Sequence, residues 1–103
     1  MNADPVLSMI GIAMKAGKAA SGEYKTENAV KSGKAFLAVV AEDASENTKK
    51  KFKNMCEFYE VPFQLYGLKD TLGRSIGKEF RASIAITDEG IAQAIMKKWT
   101  RRS

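Results

Sequence analysis

Lys25, Asn28 and Lys31 stand three residues apart in the stretch SGEYKTENAVKSGKA, a spacing that on a helix lines up two cations and an amide along one face. Such a row can meet a polyanion, the ammonium groups on phosphates and the amide on a base edge. Gly22 sits just ahead of it, and the N–H groups of a helix N-terminus, with the positive end of its dipole, favour anions there. A second set, Lys78 and Arg81 around Phe80 in GKEFRA, brings two more cations to an aromatic ring. That ring either stacks on an unpaired base or anchors the loop in the core, and residue types alone leave both open. The competing reading of each set is an ordinary solvated surface.

Catalytic chemistry has little to work with. The chain has no histidine, the commonest general base and metal ligand, and one cysteine, Cys56, so no Cys/His metal cluster and no internal disulfide can form. GRSIGKE (73–79) resembles a phosphate loop, but Gly73 is one residue too close to Gly77, Glu79 stands where a magnesium-binding hydroxyl belongs, and a strand follows instead of preceding. Glu42 and Asp43 follow a buried strand, where ligand sites occur in α/β folds. With no second carboxylate pair to answer them, they are read as charge flanking the N-terminus of the next helix. Lys49, Lys50, Lys51 and Lys53 are read as a solvated helix face that adds long-range attraction. No catalytic residue, metal site or cofactor is expected.

The charge balance bears on partners. Seventeen Lys and Arg against 12 Asp and Glu give +5 and an isoelectric point near 9.4, a footprint common among nucleic-acid-binding domains. At 103 residues the chain is expected to be one domain spanning 1–103. Its longest strongly apolar run, Ala35 to Ala41, falls far short of the roughly 20 residues of a membrane span, and no signal-peptide pattern opens the chain. A cytoplasmic monomer away from membranes is the expectation.

Helices and strands alternate. Asp4 and Pro5 read as N-cap and first helical residue, with Val6, Leu7, Ile10, Ala13 and Met14 at helical spacing. Residues 18–22 form a weak strand candidate and 26–32 a helix closed by Gly33. AFLAVVA (35–41) reads as a central strand. Ser45 opens a helix whose Phe52, Met55, Cys56 and Tyr59 are expected to share the inward stripe. PFQLY (62–66) is a short strand, 68–77 a short helix, ASIAIT (82–87) a buried strand. Asp88 caps a last helix with Ile91, Ile95 and Trp99 on one face, frayed at Arg101, Arg102 and Ser103. Strands separated by helices need crossovers, which gives an α/β fold: a three-layer α-β-α sandwich with a mixed sheet of about four strands.

The run SGEYKTENAVKSGKAFLAVVAEDASENTKKKFKNMCEFYEVPF, followed by LGRSIGKEFRASIAI, resembles the ribosomal L-seven-Ae/L-thirty-e family of kink-turn RNA-binding proteins, closest to its small stand-alone bacterial branch. The resemblance runs from about Val6 into the final helix and implies the same sandwich. It also implies recognition of kink-turns, RNA helices bent sharply beside tandem sheared G·A pairs, or of similarly bent structured RNA, ribosomal or regulatory. The family's signature is G-x-N-E with Lys three residues after the Glu. Gly22 matches, Tyr24 stands at the Asn position, Lys25 at the Glu and Asn28 at the Lys, and Thr26 fits a hydroxyl position. In the second loop Gly77, Glu79 and Phe80 match its glycine, acidic and apolar places. The implied contact surface is Gly22, Glu23, Tyr24, Lys25, Thr26, Asn28 and Lys31, closed by Lys78, Glu79, Phe80 and Arg81. Because Lys25 reverses a charge at the reading head, altered kink-turn selectivity is expected. The alternative is a protein-interaction module on the same scaffold.

Overall fold

The computed structural model describes residues 4–102, with side chains through Trp99. Helix α1 (Pro5–Lys15) starts where proline belongs, at the first helical position, and the Asp4 carboxylate accepts from the Val6 and Leu7 N–H groups. The chain then lays down β1 (Ala19–Ser21), α2 (Glu23–Lys31), β2 (Leu37–Val40), α3 (Glu46–Tyr59), β3 (Phe63–Leu65), α4 (Lys69–Ser75), β4 (Ser83–Ile86) and α5 (Glu89–Arg102). Ser45 Oγ accepts from the Thr48 N–H, and Asp88 Oδ2 from the Ile91 N–H, so both expected caps close their helices.

The four strands form one mixed sheet in the order β1-β4-β2-β3. The two all-apolar or nearly all-apolar segments take its centre: β2 and β4 are buried along their whole length and pair antiparallel, Leu37 opposite Ile86 and Val40 opposite Ser83. β3 joins β2 in parallel and β1 joins β4 antiparallel. Helices α2 and α3 pack together over one face, while α1, α4 and α5 pack together on the other. Between these layers Val6, Ile10, Val30, Leu37, Val39, Phe52, Leu72, Ile84, Ile86 and Ile95 form a continuous apolar core. The fold is the expected α-β-α sandwich.

Three local features differ from the sequence reading. Helix α2 begins at Glu23, one turn before Thr26, because Gly22 at φ 92° and ψ 161° turns the chain off β1 at once. That backbone region is open almost only to glycine. The inward stripe of α3 ends at Cys56: Tyr59 is 40% exposed and packs edge-on against Phe58, whose ring is 78% exposed. Helix α5 continues through Arg102 instead of fraying at Arg101, and Ser103 lies outside the described residues.

Candidate nucleic-acid interface

β1 and β4 are antiparallel, so the end of β1 and the start of β4 lie side by side, Ser21 opposite Ile84, with the Gly22 N–H donating to the Ser83 carbonyl at 3.0 Å. This pairing brings together two segments that are far apart in sequence. The chain leaving β1 enters α2 while the chain entering β4 arrives from the loop after α4. Between them lies an open groove of about 450 Å³, walled on one side by Gly22, Glu23, Tyr24 and Lys25 and on the other by Lys78, Phe80 and Arg81.

Each wall has a separate cause. On the first, Gly22 serves as N-cap without a side chain to cap the helix, so the groove meets first-turn N–H groups and the positive end of the α2 dipole. Tyr24 projects from that turn, 76% exposed. On the second, Gly77 adopts φ 76° and the Lys78 N–H returns to the Gly73 carbonyl at 2.8 Å, reversing the chain after α4. Phe80 is 62% exposed. It does not anchor the loop in the core, and its ring is available for stacking. Arg81 is fixed at three points: its N–H donates to the Lys69 carbonyl, Nε to Ser21 Oγ at 3.2 Å, and Nη1 to the Phe80 carbonyl at 2.7 Å. The guanidinium therefore ties the two walls together and keeps further N–H donors for a ligand.

Behind Lys25, on the other flank of α2, a second concavity of about 530 Å³ is lined by Asn28, Lys31 and Lys34 together with Ala20 and Thr87. Lys25 borders both. Lys25, Lys34 and Lys78 have no ion-pair partner among the described residues. Lys31 Nζ, by contrast, lies 2.7 Å from Glu27 Oε2, and Lys51 Nζ bridges Glu23 and Glu27. Hydrogen bonds from Lys31 and then Lys51 hold the Glu27 carboxyl down at about 2, and hydrogen bonds to Glu27 and then Glu23 raise Lys51.

The expected contact residues thus separate into groups. Gly22, Glu23, Tyr24, Lys25, Lys78, Phe80 and Arg81 share the groove, while Asn28 and Lys31 line the second concavity. The Glu79 side chain is exposed but does not line either one. Thr26 is corrected from the surface to the interior: it is fully buried beneath the first turn of α2, on the face that meets the sheet. Its hydroxyl has no hydrogen-bond partner among the described residues. Sequence reasoning passed over Lys34, Ser21 and Lys51. Lys34 lies past the Ser32 C-cap and Gly33, beyond the reach of helical spacing, and joins the second concavity only through the turn after α2. Ser21 and Lys51 are recognisable only once β1 meets β4 and α2 meets α3.

Glu42 and Asp43 are likewise reassigned. Asp43 Oδ1 accepts from the Lys69 N–H at 2.8 Å, so it serves the start of α4, not of α3, and the Glu42 N–H donates to the Gly67 carbonyl. This carboxylate is structural.

The family model for the ribosomal protein L7Ae/L30e/S12e/Gadd45 family matches residues 4–96. The chain belongs to this family. Two curated relatives named RNA-binding protein YlxQ are 40% identical over 88 residues, from Bacillus subtilis, and 42% identical over 93 residues, from Enterococcus faecium. The alignments cover 85% and 89% of this chain and 88% of each relative. A structure from Bacillus halodurans, described as a protein with unknown function, superposes with a TM-score of 0.87 at 33% identity, covering 90% of this chain and 94% of that one. The Giardia lamblia 15.5kD RNA binding protein shares the fold at a TM-score of 0.80 and 18% identity, covering 98% of this chain and 90% of that one.

Proposed function

We propose that this protein binds structured RNA, single copy to single site, and that it recognises a sharp bend of the kink-turn kind. The observation that carries the proposal is the groove: one concavity with an uncapped helix N-terminus, three cations and two exposed aromatic rings on facing walls. Phosphates supply affinity there through Lys25, Lys78 and Arg81. An unpaired base, splayed from a bend, finds Tyr24 and Phe80 to stack on. A straight A-form duplex offers no such base, and its deep major groove does not admit side chains. Family membership and the names of the YlxQ relatives support the RNA as ligand. Because the groove is complete within one chain, a monomer suffices.

Lys25 and Asn28 replace the glutamate and lysine of the family signature. A lysine donates where a carboxylate accepts, so selectivity for sheared G·A pairs shifts toward phosphate and guanine acceptors. The test is a titration of a kink-turn RNA and a straight duplex of equal length at several salt concentrations. Tighter binding of the bent RNA is expected. Equal affinity for both removes bend recognition, and no binding at low salt removes RNA as the ligand.

A further inference from the structure

We propose that Lys51, which belongs to neither wall of the groove, is a positioning residue that governs the charge of the interface: it pairs with two α2 carboxylates, one of which lines the groove, and so offsets their repulsion of RNA phosphates. This role rests on the RNA-binding reading above. Its geometry is a three-point clamp. Lys51 Nζ lies 2.9 Å from Glu23 Oε2 and 2.8 Å from Glu27 Oε1, and Lys31 approaches the other oxygen of Glu27 at 2.7 Å. One ammonium on α3 thereby spans the first and second turns of α2, the helix that opens the groove.

The need for the clamp follows from where Glu23 stands. It is the first residue of α2 and lines the groove beside Tyr24 and Lys25. A free carboxylate there repels the phosphates that Lys25 attracts, since like charges a few ångströms apart near a protein surface oppose one another. Negative charge at a helix N-terminus stabilises the helix, so Glu23 favours folding while opposing the ligand. Lys51 reconciles the two by pairing Glu23 from behind. Two of its three N–H donors are committed to carboxylates, and it lines neither concavity. It therefore acts through Glu23 and Glu27, not on RNA.

The lysine run supplies its own control. Lys53 is exposed on the same helix and has no ion-pair partner among the described residues, so Lys53→Met removes the same unit of charge without touching the clamp. Affinity for a kink-turn RNA is measured for Lys51→Met and Lys53→Met, and for Lys51→Met in a Glu23→Gln/Glu27→Gln background, with thermal melts confirming that each variant is folded at the assay temperature. Lys51→Met is expected to weaken binding about three- to tenfold and Lys53→Met less than about twofold, in line with an exposed, partly screened charge effect. In the glutamine background Lys51→Met should have no effect. Equal losses in both backgrounds would make Lys51 a direct phosphate contact and overturn the proposal. Equal losses for Lys51→Met and Lys53→Met would reduce it to net charge. A wild-type protein that binds no RNA overturns the interface itself, whatever the clamp does.

Discussion

Gly73 lies directly against the backbone of Glu79: a Cβ at Gly73 would meet the Glu79 carbonyl oxygen at 2.5 Å and the Phe80 nitrogen at 2.9 Å. Helix α4 can therefore support the second wall of the groove only because residue 73 has no side chain. The GRSIGKE stretch resembles a phosphate loop for this packing reason and not for nucleotide chemistry. Its first glycine seats a loop, and its second turns the chain at φ 76°.

Gly73→Ala should accordingly lower both stability and RNA affinity. Backbone atoms of the loop must move, and forced overpacking of this kind costs about 1–3 kcal/mol. For a domain near 100 residues that is a drop in Tm of roughly 4–8 °C per kcal/mol. Thermal melts and an RNA titration below the melting range check it. A Tm unchanged from wild type would mean that the loop yields freely and that α4 does not position Phe80.

Tyr24→Ala and Phe80→Ala should do the opposite, leaving Tm close to wild type while weakening RNA binding. Both rings are mostly exposed, so little packing is lost, whereas base–aromatic stacking contributes about 1–3 kcal/mol per base. Neither change should alter the dependence of affinity on salt. Lys78→Ala should reduce that salt slope by about one unit, as expected of a phosphate contact. If the aromatic variants changed the slope and Lys78→Ala did not, the assignment of stacking and phosphate roles would be reversed.

The sequence reading succeeded where one periodicity dominates. The buried run at 37–40 and the stripe of Phe52, Met55 and Cys56 leave little choice of partner, and both take their expected places. It failed where a residue's role depends on a neighbour distant in the chain. The family resemblance puts Thr26 at the contact surface, yet it stands at i to Ala29 at i+3 and Val30 at i+4 and is buried with them on the face that meets the sheet. Tyr59 has the right helical phase for the core, but lies in the last turn of α3, where the helix runs past the layer it covers. Lys51 sits in a run of four lysines over five positions, a pattern that speaks of solvent. Only the packing of α2 on α3 singles it out.

Asp43→Ala should destabilise the protein by about 1 kcal/mol, the usual consequence of losing a side-chain acceptor at a helix start. Asp43 Oδ1 receives the Lys69 N–H, and the Lys69 carbonyl in turn receives the Arg81 N–H at 3.0 Å. A loosened first turn of α4 is therefore expected to reach Arg81, adding a modest loss of RNA affinity to the fall in Tm. Asp43→Asn keeps an oxygen acceptor and should restore most of both. Failure of asparagine to rescue would show that the carboxylate's charge at the helix N-terminus outweighs its hydrogen bond.

Stability should hold between about pH 4.5 and 9 and decline on either side, for separate reasons. The hydrogen bonds from Lys31 and Lys51 lower the folded-state Glu27 from 4.5 to about 2. A depressed carboxyl contributes stability above its unfolded value and loses it as pH falls through the folded one, so the acid limb runs from about 4.5 to 2. Burial raises Cys56 from 9.0 to about 11. Here the unfolded chain ionises first, so stability is complete below 9 and declines as pH rises to 11. Lys51, raised by Glu27 and Glu23, extends that alkaline loss above its ordinary range. Urea melts across pH separate the contributions. Lys51→Met should shorten the acid limb, because Glu27 then keeps only Lys31. Cys56→Ala should lower stability at every pH yet flatten the slope between 9 and 11. A slope between 9 and 11 that persisted in Cys56→Ala would show that the buried thiol does not carry it.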